Sequence, residues 1–445
     1  MNKYYKKKVL IIGYGVTGKS IAKYLTKFKC NIFIWDDDLE KLNKTNFNIF
    51  DIKKINFQDI RAIFVSPGVK KEHVILKQGR KKDINIINDI ELFWEIIKKE
   101  KRKNKLIAIT GTNGKSTIAL MIANALRTKP LANFGNPILD YYENIKNEYV
   151  IELSSFQLDY INNFRPNISV ISNINKDHIT HHSSFSKYVK AKMNIIKNQS
   201  TNDLVIVNYD DKNLRKLFSQ HKKGKSKLIY VSQKQILKTG ISVTKNEVID
   251  NYLTRKKYSY KPNSFLEIQH NKMNFAISFI SLLILGKDPK YILKKLLNFK
   301  GLPHRIEWIG SIKNINFFND SKATNVAATC SALNSFSKVI LIAGGSKKGD
   351  DFKPLNSFSS VIFETFLYGE TASEIAHTLR KKCKNNICND LSEAVKKSFK
   401  KSIDSRKNYP ILFSPACASF DHYTNYKKRG EHFKKLFNSI LKEVA

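Results

Sequence analysis

The run Thr110-Gly111-Thr112-Asn113-Gly114-Lys115-Ser116-Thr117 has the residue types and order that hold a phosphate. It follows the apolar stretch Leu106-Ile107-Ala108-Ile109 and opens a helical pattern. A glycine turn between strand and helix aims backbone N–H groups and the positive helix end at an anion. Lys115 can then reach terminal phosphate oxygens, and the Ser116 hydroxyl can bind Mg²⁺. Ile109 stands where the first glycine of G-x-x-x-x-G-K-[ST] would be, so the match is incomplete. The competing reading is a plain glycine turn, but Gly-Lys-Ser-Thr at this place favours phosphate.

Other groups could act beside it. Gly13-Tyr14-Gly15-Val16-Thr17-Gly18 follows a strand pattern, and Asp36 ends the next one. That spacing suits a ribose-binding acid, yet a nicotinamide site, another nucleotide site and a bare turn all remain open. Glu152, in Glu152-Leu153-Ser154-Ser155-Phe156-Gln157, ends a strand where a carboxylate can hold Mg²⁺; alone, it reads as a solvent-facing glutamate. Asn175-Lys176-Asp177-His178 follows another strand; His178 is either a metal ligand or a satisfied loop histidine, and His181 and His182 read as surface residues. Lys192 lies in a helical pattern at 188–197, where a lysine is ordinarily solvated. Later come His304-Arg305 and three loops: Asn319-Asp320-Ser321-Lys322-Ala323-Thr324-Asn325, Gly344-Gly345-Ser346-Lys347-Lys348 and Ser414-Pro415-Ala416-Cys417-Ala418-Ser419-Phe420-Asp421. Each follows a strand pattern, so all three are expected at the carboxyl edge of one parallel sheet, as a trap for a dicarboxylate. Cys417, with no histidine nearby in sequence, reads as a packing residue.

The elements that must position these groups are short apolar strands alternating with helical patterns, the mark of parallel α/β layers. Strands are expected at Val9–Ile12, 31–35, 62–65, 106–109, 149–152, 168–171, 204–207, 339–342, 365–368 and 410–413, with an irregular β excursion over 220–265 and a buried helix over 271–285. A Lys-rich stretch at 98–105 and the segment Phe299-Lys300-Gly301-Leu302-Pro303 mark boundaries, giving domains 1–98, 99–299 and 300–445. The chain has 445 residues, 42% of them hydrophobic, which excludes a disordered or low-complexity protein. Of 78 basic residues only 11 are arginine, against 38 acids, for a net charge of +40. A uniform lysine excess reads as coding bias; a P-loop protein that binds nucleic acid is the alternative. The five cysteines form no CxxC pair, so neither a disulfide framework nor a zinc module is expected, and a reducing cytoplasm fits. The basic start runs too soon into Gly13 for a secretory leader.

Gly-Thr-Asn-Gly-Lys-Ser, Asn-Asp-Ser-Lys-Ala-Thr-Asn and Ser-Pro-Ala-Cys-Ala-Ser together resemble the Mur ligase family of ATP-dependent amide-bond-forming enzymes, and the resemblance runs in order from Gly13 to Phe433. It implies three domains: a Rossmann-like UDP-binding domain, a P-loop ATPase with a mostly parallel sheet, and a Rossmann-like C-terminal domain. It implies a cytoplasmic monomer that uses ATP and Mg²⁺ to join D-glutamate to UDP-N-acetylmuramoyl-L-alanine through an acyl phosphate, for peptidoglycan precursors. Other amino-acid-adding members, folylpolyglutamate synthases and nicotinamide-dependent dehydrogenases are the alternatives.

By the same resemblance, Gly13, Gly15, Val16, Thr17, Asp36, Ser66, Pro67, Gly68 and Asn136 would hold the UDP-sugar. Gly111, Thr112, Asn113, Gly114, Lys115, Ser116, Thr117, Asn271, Asn274, Arg305 and Asp320 would bind ATP. Ser116, Glu152, His178 and a carbamylated Lys192 would ligate metal, with Lys115, Glu152, His178, Lys192 and Arg305 catalytic. Lys322, Thr324, Lys348, Ser419, Phe420 and Tyr426 would surround D-glutamate. The chain departs from the family pattern at Asp37, Asp38, Thr180, Ser346, Lys347 and Tyr426.

Overall fold

The computed structural model describes residues 3–43, 45–52, 57–145, 147–175, 177–219, 226–263, 266, 269–299, 301–347, 349 and 351–444. Lys176 and Lys348 lie outside the described residues. Among the described residues, three β-sheets carry the architecture.

The first sheet holds β1 (Lys8–Ile12), β2 (Asn31–Trp35), β3 (Asn48–Ile49), β4 (Ile60–Val65) and β5 (Asn85–Ile87), all parallel in the order β3-β2-β1-β4-β5. Strands covered on both faces read as unbroken apolar runs, and Val9 to Ile12 are fully buried. The glycine turn, Asp36 and Ser66-Pro67-Gly68 follow β1, β2 and β4, so all sit at the carboxyl edge.

The second sheet contains β6 (Lys105–Thr110), β7 (Pro130–Ala132), β8 (Glu148–Glu152), β9 (Ile168–Ile171), β10 (Leu204–Asn208) and β11 (Lys227–Ser232), then β12 (Ile241–Val243), β13 (Glu247–Asp250) and β14 (Lys257–Ser259). The order is β14-β13-β12-β11-β10-β9-β6-β8-β7. Among the described strands of this sheet, only the β12–β13–β14 end is antiparallel; it falls in the excursion expected near 220–265. β6 lies between β8 and β9, which sets Ile109 opposite Glu152 and Thr110 opposite Ile171. The helix Gln269–Ile284 buries Phe275 to Leu282, as its apolar run predicts.

The third sheet holds β15 (Glu307–Ile312), β16 (Ile315–Asn319), β17 (Val339–Gly344), β18 (Ile362–Tyr368), β19 (Lys384–Ile387) and β20 (Ile411–Phe413), ordered β15-β16-β20-β17-β18-β19. Apart from the β15–β16 hairpin it is parallel. The helix Tyr426–Val444 packs Phe433, Phe437 and Ile440 against it, a three-and-four spacing that makes one apolar stripe.

The chain divides into two compact units, Met1–Lys261 with Met273–Leu296, and Pro262–Lys272 with Leu297–Ala445. The first two sheets share a unit. Within it, the helix Asp89–Lys99 is capped by Asn88, whose side chain accepts the Glu91 N–H, with acids in its first turn and lysines in its last. Asn88 Nδ2 also donates to the Gln157 carbonyl, and one Glu91 carboxylate oxygen accepts the N–H groups of Asn162, Asn163 and Phe164 at 2.7–2.9 Å.

Asp89, beside them, is buried with Oδ1 unpartnered, and burial pushes its carboxyl up to about 6. The folded protein therefore holds this proton more tightly than the unfolded chain does, and stability falls through this group as pH rises from the ordinary aspartate range to about 6. Asp89→Asn is expected to raise stability at pH 7, by at most ~3 kcal/mol, and to flatten that slope. Urea unfolding of both proteins at pH 4.5 and 7 checks it; an unchanged slope would count against a strained carboxylate.

Candidate active site

The phosphate-type loop is held in shape by the chain that leaves β9. Thr112 N–H donates to the Asn173 carbonyl and Asn113 N–H to Asn173 Oδ1, while Ser172 Oγ and Asn173 Nδ2 both donate to the Asn113 carbonyl. Gly114 has φ +83°, and a Cβ there would come within 2.6 Å of Asn274 Oδ1, so the position needs glycine on both counts. Lys115 begins the helix Lys115–Leu126 and folds back over the loop, its Nζ donating to the Gly111 and Thr112 carbonyls at 2.8 Å.

Lys192 comes to the same carbonyl from the helix Phe185–Met193. Its Nζ donates to Gly111 O at 2.8 Å, and the residue is only 2% exposed, so the solvated reading of its position does not hold. Burial first, and the neighbouring Lys115 charge second, push the amine down to about 7. Tyr188, one turn earlier on the same face, lies under the amine at 4.8 Å and shares a 2.9 Å hydrogen bond with Thr112 Oγ1.

Glu152 closes β8 beside the loop and is 1% exposed. Asn133 Nδ2 donates to its Oε1 at 2.7 Å, whereas Oε2 is buried without a hydrogen-bond partner among the described residues. A buried carboxylate oxygen lacking a donor is costly unless a cation meets it. His178 stands at φ +51°, its half-exposed ring 4.9 Å from that of Phe156. The unpartnered Glu152 oxygen fits a hard cation, and Lys192 could join it as a ligand only by supplying oxygen rather than an ammonium.

His182 corrects the sequence reading: it is buried, not superficial. Phe156 stacks on its ring at 5.6 Å, Tyr188 meets its edge at 5.5 Å, and Ser155 Oγ lies 2.9 Å from Nε2. His181 is half-buried.

On the first sheet, Asp36 accepts the Tyr14 N–H at 2.6 Å and the Asp38 N–H at 2.9 Å, and Ser66 Oγ donates to the Gly13 carbonyl at 2.7 Å. These bonds shape the turn into which Val16 projects, two-thirds exposed. Gly15, Thr17, Pro67 and Gly68 lie along the same edge. Asn136 follows β7 and donates to the Pro130 carbonyl at 2.8 Å.

In the second unit, Asp320 is buried at the end of β16, accepting from Ser414 Oγ at 2.7 Å and from the Ile306 N–H at 3.1 Å. Burial raises its carboxyl to about 7, with the Arg305 charge acting in opposition. Arg305 is exposed. Lys322 Nζ lies 5.9 Å from the Tyr426 ring; Thr324 is half-buried, Ser419 buried and Phe420 largely exposed. Asn271 is buried in the helix Gln269–Ile284. Cys417 is buried, as a packing residue should be.

Sequence reasoning passed over Arg429, which is 0% exposed and donates to the carbonyls of Ser321, Cys417 and Ala418 and to Ser321 Oγ. It joins two of the three candidate ligand loops. Arg429→Lys cannot span them all, and is expected to lower stability by at least ~2 kcal/mol in guanidine unfolding. Asn133, Ser172, Asn173 and Tyr188 were also passed over; only Tyr188, four residues before Lys192 on a helix, had a legible signal.

Known proteins bear on these arrangements. Residues 7–88 match the MurD-like N-terminal domain of Mur ligases, and residues 109–282 match the Mur ligase middle domain. UDP-N-acetylmuramoylalanine–D-glutamate ligase of Rickettsia prowazekii is 36% identical over 98% of this chain and 99% of its own length. The same-named proteins of Rickettsia bellii and Clostridioides difficile are each 34% identical, with at least 98% of both chains covered. Among solved structures, UDP-N-acetylmuramoyl-L-alanyl-D-glutamate–2,6-diaminopimelate ligase aligns with TM-score 0.57 at 16% identity, covering 85% of this chain and 87% of that one. UDP-N-acetylmuramate–alanine ligase of Thermotoga maritima aligns with TM-score 0.53 at 20% identity, over 97% and 99%. The structures share the fold, the sequence relatives share the lineage, and the chain belongs to the Mur ligase family.

Proposed function

We propose that this protein joins D-glutamate to UDP-N-acetylmuramoyl-L-alanine with cleavage of ATP to ADP and phosphate, in the cytoplasmic synthesis of peptidoglycan precursors. The reading rests on one convergence. At the carboxyl ends of adjacent strands lie a braced phosphate loop with Lys115, a buried Glu152 with an unpaired oxygen, and a buried amine of low basicity, in a chain similar to D-glutamate ligases over nearly its whole length. Among the described residues no helix is long and apolar enough to cross a membrane.

The alanyl carboxylate attacks the γ-phosphorus of ATP, and ADP leaves. The amine of D-glutamate then adds to the carbonyl of the acyl phosphate, and the tetrahedral intermediate expels phosphate. A carboxylate and a triphosphate repel each other, so the protein's part is alignment and charge neutralisation. Gly111, Thr112, Asn113, Gly114, Ser116 and Thr117 receive the polyphosphate, and Lys115 turns from its loop carbonyls to the transferring phosphoryl oxygens. Asn271, Asn274, Arg305 and Asp320 border the nucleotide. Gly13, Gly15, Val16, Thr17, Asp36, Ser66, Pro67, Gly68 and Asn136 hold the UDP-sugar; Lys322, Thr324, Ser419, Phe420 and Tyr426 hold D-glutamate, with Lys348 assigned there by resemblance alone. Mg²⁺, when bound, would offset polyphosphate charge, held by Ser116, Glu152, His178 and Lys192.

Lys192 is suited to that last task by its low pKa. Burial and the Lys115 charge let the amine reach its neutral form far more readily near pH 7 than a solvated lysine does. The neutral nitrogen attacks CO₂, an N–C bond forms, one proton passes to water, and an oxygen-bearing carbamate replaces a repelling cation. We place the functional division of the chain at 1–98, 99–299 and 300–445.

The test is phosphate release from ATP by the purified protein. Release is expected only with UDP-N-acetylmuramoyl-L-alanine and D-glutamate together, and not with L-alanine, L-lysine or diaminopimelate in place of D-glutamate. Release with another amino acid alone would move the protein to another branch of the family.

A further inference from the structure

Beside His178, whose carbonyl accepts the N–H groups of His181 and His182, Asp159, His181 and His182 bring three metal-competent side chains together, with one donor atom of each within 4.8 Å of the others. The cluster is built into the fold. Asp159 ends the helix Ser155–Leu158 with its side chain 8% exposed, and His182 ends the helix Ile179–His182 with its side chain 3% exposed.

Two observations set it apart from an ordinary satisfied histidine pair. Asp159 Oδ1 is ion-paired with Lys71 at 2.8 Å, but Oδ2 is buried with no hydrogen-bond partner among the described residues. His182 Nδ1 lies 3.4 Å from that same Oδ2 without hydrogen-bonding to it. A tetrahedral ion with nitrogen and oxygen donors at ~2.0–2.1 Å places neighbouring donors roughly 3.4 Å apart. The gap is the edge of such a coordination shell.

The surroundings agree. Ser155 Oγ, 2.9 Å from Nε2, can accept its proton and leave the Nδ1 lone pair directed at Oδ2. The His181 ring stands 4.9 Å from that of His182 and is only half-buried, so side-chain rotation brings its nitrogen in.

We infer that Asp159, His181 and His182 form a site for a zinc-type divalent ion, bound through two imidazoles and one carboxylate with water completing the shell. Two imidazole nitrogens suit a borderline ion and not Mg²⁺, which separates this site from the oxygen-rich set around Glu152. Lys71 is the built-in competitor, since it already neutralises Asp159. The inference does not depend on the activity proposed above.

Calorimetric titration of the full-length chain with Zn²⁺, in excess Mg²⁺, is expected to show one site per chain. His181→Asn changes a half-buried ring and should weaken binding at least ~10-fold. Lys71→Met should tighten it. Co²⁺ should give visible absorption typical of a low-coordinate nitrogen and oxygen site, lost in His181→Asn. Absence of a one-site isotherm, full affinity in His181→Asn, or weaker binding in Lys71→Met would each overturn the site.

Discussion

Replacing Lys115 by alanine is expected to lower kcat for ATP-dependent ligation by ~10³-fold or more, the scale seen when a cation facing a transferring phosphoryl group is removed. The Nζ already bridges two carbonyls of the phosphate loop, so it needs only to swing, not to travel, to meet a γ-phosphate. The side chain is partly buried and bonds to the phosphate loop, so the affinity for UDP-N-acetylmuramoyl-L-alanine should be nearly unchanged. Steady-state phosphate release and equilibrium binding of the UDP-substrate, measured on one preparation, separate the two effects. Undiminished turnover would take the loop out of the chemistry.

Lys192→Ala carries the second large effect, a fall of ~10²–10³-fold in kcat. If the amine acts as its carbamate, the lost group is a carboxylate-like oxygen donor, and formate or acetate should restore part of the rate by occupying the vacated space. Stripping CO₂ from the wild-type assay should lower its activity reversibly. A structural lysine behaves otherwise: the variant would be less stable, insensitive to added acids, and the wild type indifferent to CO₂. Tyr188 is a useful companion, because Tyr188→Phe removes the bond to Thr112 but keeps the ring beneath the amine. It should cost far less than Lys192→Ala.

Much of the fold was legible because parallel strands buried on both faces are apolar runs. Val9 to Ile12, Leu106 to Ile109 and Val339 to Ile342 all announce themselves this way. β11 bears it too, as Leu228-Ile229-Tyr230-Val231, but falls inside the stretch 220–265 expected to be irregular; other strands that escaped lack that mark. β7 is three residues long and starts at a proline; β19 reads Lys-Asn-Asn-Ile and lies at a sheet edge, half wet. The phosphate loop was legible because its geometry is local. Its bracing by Ser172 and Asn173 was not, since those residues are about 60 positions away and only strand order brings them near. His182 was misread for a related reason. Its neighbour His181 is half-open while it is enclosed, and the enclosure is made by Phe156 and Tyr188 from two other helices.

The three N–H groups converging on one oxygen of Glu91, with Asn88 bound to the Gln157 carbonyl, bear on how this polypeptide can be cut. The first sheet looks self-contained along the chain, yet its last helix keeps a buried carboxylate oxygen and a buried amide nitrogen that are answered by residues 157–164. A fragment stopped before β6 would strand both, at a cost of several kcal/mol. Such a piece should express as a sticky, partly unfolded species, because the compact unit that holds both sheets runs on to Lys261.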